Sequence, residues 1–171
     1  MRPTKPHSIN DLMQRVNAIA GLTLGQLASQ YSFKTPDDLL REKGWTGQLI
    51  EYVLGATAGS KPLPDFEDLG IELKTLPISY KGKPLETTFV SVTPLINVTG
   101  MTWHTSAVRK KLNHVLWLPI LSERDIAPFD RTIGSGFLWQ PSPAQDAQLQ
   151  RDWEEQMELI ALGRVDEISG H

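Results

Sequence analysis

The sequence has no cysteine among its 171 residues. Disulfide bonds and thiolate metal sites are therefore excluded. It also lacks any apolar run approaching the roughly 18 residues that a membrane-spanning helix needs. Residues 1–7 contain no apolar signal core of the kind that directs secretion. We therefore expect a cytoplasmic protein with no membrane partner.

The sequence also has no excess of positively charged residues. Seventeen Lys and Arg residues stand against 20 Asp and Glu residues, which gives a net charge of −3. This balance argues against nucleic-acid binding as a bulk property, but the distribution of charge matters more than its sum. Acidic residues gather in 146–158, whereas Arg109, Lys110 and Lys111 form a basic cluster. A protein that holds Mg²⁺ with carboxylates can be acidic overall and still present one basic face.

The first sixty residues show helical patterns. Ser8 followed by Asp11 is typical of a capped helix start, and Thr23 with Gln26 predicts a second start. A third helix is predicted to begin at Thr35-Pro36, since proline is favoured at the first helical position. A fourth is predicted over about residues 45–54.

From residue 71 the period of the apolar residues changes. Residues 71–76 alternate between apolar and polar, which predicts a strand, with Gly82 in the turn that follows. Further strands are predicted over residues 87–92 (its hairpin partner), 115–120 and 132–140, and a long amphipathic helix over 142–162. The longest loop should be 93–107. The order of elements indicates an α/β or α+β fold with a mixed sheet. We expect one domain over 1–171, mainly helical in 1–60.

Three residues around the first strand could carry chemistry. Side chains two apart on a strand share a face, so Glu72 and Lys74 should project together. Asp65 lies seven residues before Glu72, and the short segment 66–70 can turn the chain to bring the two carboxylates together. Mg²⁺ prefers such oxygen ligands together with phosphate oxygens. Taken alone, however, this spacing fits an ordinary ion pair on a solvated strand face better.

Glu51 strengthens the interpretation as a metal site. It lies in a largely apolar helix, where a carboxylate is costly to bury unless it is paired or bound to metal. Facing the strand, it would complete an acidic triad with Asp65 and Glu72. An exposed helix glutamate is the alternative.

Other residues could contact phosphate. Residues 55–62 form a loop of small residues without the spacing of a P-loop, from which Ser60 or Lys61 could reach a nucleic-acid backbone. Arg109 and Lys111 could contact phosphates without sequence preference. A flexible connection and a solvated charge run are the respective alternatives.

The linked motifs closely resemble the MutH family of mismatch-repair endonucleases, over nearly the whole chain. The resemblance is carried by Lys43-Gly44-Trp45, Gly47, Glu51, Leu54-Gly55-Ala56, Ala58 through Pro62, Asp65-Phe66, Leu69-Gly70, Glu72 through Thr75, Pro84 through Val90, Val108-Arg109, Lys111-Leu112, Val115-Leu116-Trp117 and Asp152 through Glu155.

This resemblance implies an α/β fold of the restriction-endonuclease type, a mixed sheet flanked by helices. It implies Mg²⁺-dependent nicking of the unmethylated strand at hemimethylated GATC sites, activated by MutL with ATP and indirectly by MutS, in a monomer. Asp65 and Glu72 would be metal ligands, Lys74 the catalytic lysine, and Glu51 an accessory acid at the metal. The positions implied to line the DNA cleft are Lys43, Gly44, Glu86 and Lys111.

The sequence departs from the family pattern in one respect. The resemblance implies a C-terminal portion with an Arg-Pro-Lys loop that reads bases and a tyrosine that senses methylation, and we find no counterpart of either. We therefore expect the catalytic cleft to form without the complete DNA-reading portion. Two alternatives remain open. One is a stand-alone type II restriction endonuclease, and the other is a catalytically impaired module that only binds DNA or MutL.

Overall fold

A computed structural model describes residues 2–38, 44–91, 95, 98 and 100–168 of the chain. Within these ranges the chain forms five α-helices and three β-strands. They are α1 (Ile9–Ile19), α2 (Leu24–Gln30), α3 (Trp45–Leu54), β1 (Glu72–Ile78), α4 (Ala107–Leu112), β2 (Val115–Leu121), β3 (Phe137–Trp139) and α5 (Pro143–Ala161). None of the helices in the described ranges is long and apolar enough to cross a membrane.

Helices α1 and α2 begin where the capping residues predict, and α5 begins at the start of the predicted amphipathic helix. The Ser8 hydroxyl accepts a hydrogen bond from the Asp11 backbone N–H at 3.0 Å. Thr23 with Gln26 forms a reciprocal capping box at the start of α2, and Ser142 with Gln145 forms another at α5. These caps satisfy backbone donors that a helix start leaves unpaired. The helix predicted from Thr35 is not present over residues 35–38, and residues 39–43 lie outside the described ranges.

The three strands form one mixed sheet in the order β1–β2–β3. Strand β1 runs parallel to β2, and β3 runs antiparallel to β2. The predicted α/β class with a mixed sheet is confirmed. The strand predicted over 132–140 is shorter than expected, because only Phe137–Trp139 is regular, whereas Thr132 and Ile133 form isolated bridges.

The predicted hairpin partner of β1 is wrong. Residues 87–91 form no strand, and residue 92 lies outside the described ranges. The chain does turn at Gly82, whose φ is +77°. The segment after the turn pairs with β1 only up to Leu85, whose N–H donates to the Pro77 carbonyl. Strand β2 lies beside β1 instead. Since β2 is largely buried while 85–87 and 89 are exposed, the parallel pairing removes more apolar surface from water.

Two apolar clusters hold the elements together. The larger joins the inner faces of α1, α2 and α3 to β1 and β2. Its fully buried members include Leu12, Val16, Leu27, Leu49, Leu116 and Leu118. The smaller cluster is built from Trp103, Trp153, Met157 and Ile160. Trp103, which the sequence places in the long loop, is 1% exposed. Helix α3 packs on β1, and this contact brings Glu51 to the start of the strand.

Candidate active site

A tight turn places Asp65 beside Glu72. Phe66 N–H donates to the Ile71 carbonyl at 2.9 Å, and Ile71 N–H donates back to Phe66 at 3.3 Å. Between them the chain makes one helical turn, which Gly70 ends with a φ of +66°. That left-handed conformation favours glycine because it has no Cβ. The segment therefore reverses the chain as its length predicted.

The two acidic residues are fixed by backbone contacts. Asp65 N–H donates to Glu72 Oε2 at 3.3 Å, and Leu73 N–H donates to Asp65 Oδ2 at 2.9 Å. Asp65 is 8% exposed and Glu72 is 3% exposed. Burying two carboxylates is unfavourable without cations or hydrogen-bond donors around them. The solvated strand face that the spacing alone favoured is therefore wrong for Glu72.

Two lysines supply positive charge to Glu72. Lys74 Nζ lies 3.3 Å from Glu72 Oε1, so these two side chains share a face of β1 as predicted. Lys111 Nζ, from α4, lies 4.0 Å from the same oxygen. The family resemblance implied that Lys111 lines a DNA cleft, and nothing in the sequence predicted its contact with Glu72. Both lysines are largely buried, at 14% and 19% side-chain exposure.

Glu51 completes the acidic group from the opposite side. Burial raises the pKa of Glu51 to about 8, and repulsion from Asp65, a hydrogen bond with Asp65 and repulsion from Glu72 add to the rise, while Lys74 opposes it. Burial and Asp65 also raise the pKa of Glu72, against the effect of Lys74 and Lys111. Three carboxyls therefore compete for limited positive charge, a condition that often marks a functional site.

The donor set fits a hard divalent cation. Glu51, Asp65 and Glu72 offer only oxygen ligands, and their mutual repulsion would be relieved by a cation. Over the described ranges, no group of three or more His, Asp or Glu side chains is already spaced to hold a metal. The internal contacts explain this, since Asp65 Oδ2 accepts from Leu73 and Glu72 Oε1 faces Lys74.

A cavity of about 1080 Å³ adjoins the far half of β1. Gly44 at the start of α3 and Glu86 after the turn both line it, together with Thr75 and Pro77 of the strand. Two of the positions that the sequence assigned to a DNA cleft thus face one cavity. Of the other two, Lys43 lies outside the described residues, and Lys111 is not among the residues that line this cavity. The remaining charged lining is mixed and consists of Glu123, Arg124, Asp125 and Arg131.

Comparison with known proteins identifies the family. The model of the family described as "DNA mismatch repair enzyme MutH" matches residues 54–152. DNA mismatch repair protein MutH of Shewanella woodyi is 56% identical over 167 residues, which cover 98% of this chain and 72% of the relative. The corresponding protein of Haemophilus ducreyi is 56% identical, with 98% and 74% covered. That of Vibrio cholerae is 54% identical, with 99% and 76% covered.

The chain belongs to the MutH family. The family match spans Glu72 and the three residues that contact its buried carboxylate, Asp65, Lys74 and Lys111. Glu51 lies before the matched range, and its place in the acidic group follows from the packing of α3 on β1. The resemblance seen in the motifs is thereby confirmed at the level of the family.

The remaining predicted DNA contacts are Ser60, Lys61 and Arg109. Ser60 and Lys61 are exposed in the loop after α3, where Lys61 Nζ lies 3.5 Å from Glu67 Oε1. Arg109 Nε lies 3.5 Å from Asp146 Oδ1, so Arg109 pairs with α5 and is not a free cation on a rim. Phosphate contact by Ser60, Lys61, Arg109 and Lys111 stays a prediction.

Sequence reasoning missed Phe89, which lies beside Lys74, and Asp146, which contacts α4. Phe89 places its ring 5.9 Å from Lys74 Nζ while remaining 68% exposed. Asp146 holds Arg109 at the opposite side of α4 from the acidic group. Phe89 lies in the segment predicted as a strand over 87–92, and Asp146 lies in the predicted amphipathic helix. Neither residue is of a type that would mark it as functional within such a segment. An exposed phenylalanine beside a buried lysine becomes visible only when the fold is known.

Proposed function

We propose that this member of the MutH family is a Mg²⁺-dependent endonuclease that nicks the unmethylated strand at hemimethylated GATC sites during mismatch repair. The observation that carries the proposal is the meeting of Glu51, Asp65 and Glu72 with Lys74 in one buried group. Such a group combines carboxylates that can bind a hard metal ion with a lysine ammonium group that can contact phosphate. The family membership supplies the mismatch-repair context.

The acidic residues would hold the metal. Asp65 and Glu72 are the proposed ligands, with Glu51 as an accessory ligand that must first release its proton. When bound, Mg²⁺ supplies stabilisation for the negative charge that builds up on the phosphate and makes a water molecule more acidic. The backbone hydrogen bond from Leu73 fixes the Asp65 carboxylate, so that one oxygen stays oriented before substrate arrives.

Lys74 is the proposed catalytic lysine. Its contact with Glu72 and its low exposure keep the ammonium group at the start of β1 rather than in solvent. From there the group can orient the attacking water and offset negative charge on the phosphate. Lys111 adds a second positive charge on the other side of Glu72.

The DNA would lie along the cavity beside β1. Gly44 and Glu86 line this cavity, and a glycine lets a nucleic-acid backbone approach closely. MutL with ATP is the proposed activator, and MutS acts through it. The support for these partners is the 54–56% identity to proteins named MutH.

The test is a plasmid with one hemimethylated GATC site, incubated with Mg²⁺, MutL and ATP. We expect a nicked circle from the wild type and none from Glu72→Gln or Lys74→Met. Glu155→Gln removes an exposed carboxylate from α5 and should nick like the wild type. Fully methylated plasmid and a reaction without Mg²⁺ complete the controls.

Three results would contradict the proposal in different ways. Nicking that survives Glu72→Gln would mean that the chemistry lies elsewhere. A linear product formed without MutL would favour a stand-alone restriction endonuclease. Binding of DNA or MutL without nicking under any condition would favour a module that only binds.

A further inference from the structure

We propose that Asp146 is a positioning residue, which acts through Arg109 to hold α4 so that Lys111 faces Glu72. The proposal rests on the function proposed above, because it assigns to Lys111 a part in that same site. The positioning contact is the ion pair between Arg109 and Asp146, on the side of α4 away from the acidic group. Within the described part of the chain, Asp146 and Arg109 form no ion pair with the three clustered carboxyls.

The contact is a junction of three side chains. Asp146 Oδ1 accepts a hydrogen bond from Trp103 Nε1 at 3.1 Å and lies 3.5 Å from Arg109 Nε. Trp103 is 1% exposed, so the carboxylate is anchored to the smaller apolar cluster. Arg109 Nε is buried and has no hydrogen-bond partner among the described residues. Asp146 Oδ1 is the negatively charged atom that faces this buried nitrogen.

Helix α4 depends on such contacts for its orientation. It has six residues, and a helix this short is not stable alone in water. Its N-terminal end is fixed to the same junction, since the Ser106 hydroxyl donates to the Trp103 carbonyl at 2.8 Å and accepts from Arg109 N–H at 3.1 Å. The junction thus sets both the start of α4 and one of its faces.

Arg109 and Lys111 point to opposite sides of α4. Residues two apart on an α-helix are separated by about 200° around the axis. One face therefore meets α5 through Asp146, and the other meets β1 through Glu72. Rotation of α4 after loss of the Arg109 contact would carry Lys111 away from Glu72. The C-terminal end of α4 is tied to β1 by the hydrogen bond from Glu72 N–H to the His114 carbonyl at 2.9 Å.

The competing explanation is that the junction only stabilises the smaller apolar cluster. In that case the contact at His114 would be enough to orient Lys111. The two explanations differ in what happens to Lys111 when Asp146 loses its charge but the fold is kept. Asp146→Asn is suited to this question, because the amide oxygen can still accept from Trp103. Asp152→Asn, an exposed position on α5, is the matched control.

The first experiment does not depend on activity. Each variant is treated briefly with an amine-acetylating reagent, and the rate of modification of every lysine is read by mass spectrometry. In the wild type, partly buried Lys111 should react more slowly than its exposed neighbour Lys110. Asp146→Asn should speed acetylation of Lys111 about threefold or more while leaving Lys74 and Lys110 unchanged. The unchanged Lys74 rate shows that the fold is intact.

The second experiment is a double-mutant cycle on nicking, measured at saturating DNA with Mg²⁺. Asp146→Asn should lower the rate about tenfold with little effect on DNA affinity, because a misplaced group affects the reaction more than binding. In a Lys111→Met background the same change should cost no more than about twofold. A merely structural role would give equal losses in both backgrounds.

The two experiments separate the possible failures. If wild-type protein does not nick, the proposed function fails, and the acetylation pattern still decides whether Asp146 positions Lys111. If Lys111 stays protected in Asp146→Asn, or if the rate loss is the same with and without Lys111, the positioning role is overturned. Arg109→Met provides a second variant, and it should resemble Asp146→Asn because the ion pair with Asp146 is lost.

Discussion

The Glu51 carboxyl on α3 lies beside the Asp65 carboxyl, which precedes the start of β1 by seven residues, and repulsion between the two raises the pKa of Glu51. Two neighbouring carboxyls escape their mutual repulsion when one of them carries a proton. Burial and the two neighbouring acids raise the pKa of Glu51 to about 8, so Glu51 is the group that holds this proton near neutral pH. The acidic group therefore changes its charge in the range where the enzyme would work.

The first prediction concerns stability. Glu51→Gln should raise the free energy of unfolding of the metal-free protein by about 1–3 kcal/mol at pH 8 and leave it nearly unchanged at pH 4. The unfolded chain releases this proton near the model value of 4.5, and the folded chain only near 8. Across that window the folded state binds more protons, so ionised Glu51 lowers stability as the pH rises. Urea unfolding in EDTA over pH 4–9 measures the difference.

Asp146→Asn is the control, because Asp146 lies outside the acidic group. The difference between its unfolding free energy and that of the wild type is expected to stay constant over the same pH range. If the difference between the wild type and Glu51→Gln is constant as well, Glu51 does not hold the proton and this assignment is wrong.

The second prediction concerns metal binding. A carboxyl must lose its proton to bind a cation, so Mg²⁺ affinity should rise between pH 6 and pH 8 as Glu51 ionises. Isothermal titration calorimetry in two buffers of different ionisation enthalpy would also report release of a proton at pH 7. In Glu51→Gln both the pH dependence in this window and the proton release should shrink. Affinity that is flat from pH 6 to pH 9 in the wild type would contradict the prediction.

The third prediction concerns the Lys74–Glu72 pair. Lys74→Met leaves a buried carboxylate with only the more distant Lys111, and should cost about 1–3 kcal/mol of stability at pH 8. The cost should fall toward pH 5, because a protonated Glu72 needs no cation. Adding Glu72→Gln to Lys74→Met should restore most of the loss, as chemical denaturation would show. Lys110→Met, which removes an exposed lysine from α4, is the control and should change little.

The sequence was most informative where one local feature decides the structure. The capping residues predicted the starts of α1 and α2, the amphipathic pattern predicted α5, and alternation identified β1. The closeness of Asp65 and Glu72 followed from the short turn between them, which is also local. The convergence of the acidic group was therefore predictable, although spacing alone favoured a solvated ion pair and only Glu51 and the family motifs changed that view.

Long-range relationships were not predictable in the same way. The parallel pairing of β1 with β2 joins segments about forty residues apart, and no local pattern in 87–92 could exclude a hairpin. The place of Lys111 beside Glu72 follows from that pairing, because α4 leads directly into β2. The ion pair between Arg109 and Asp146 depends on how α5 packs on residues 103–105, and residue type alone cannot report it.

The fourth prediction tests the end of α3, which carries Glu51. Gly55 ends the helix with a φ of +81°, and a Cβ at this position would overlap the Thr4 carbonyl oxygen. Gly55→Ala combines a strained backbone with a backbone clash and should lower the free energy of unfolding by about 2–4 kcal/mol.

Gly47→Ala is the matched control, since Gly47 lies inside the same helix with open space around it. That change should be neutral or stabilising by up to about 1 kcal/mol. Thermal and urea unfolding would separate the two variants. Equal stabilities would mean that residues 2–7 do not pack against the end of α3 in solution.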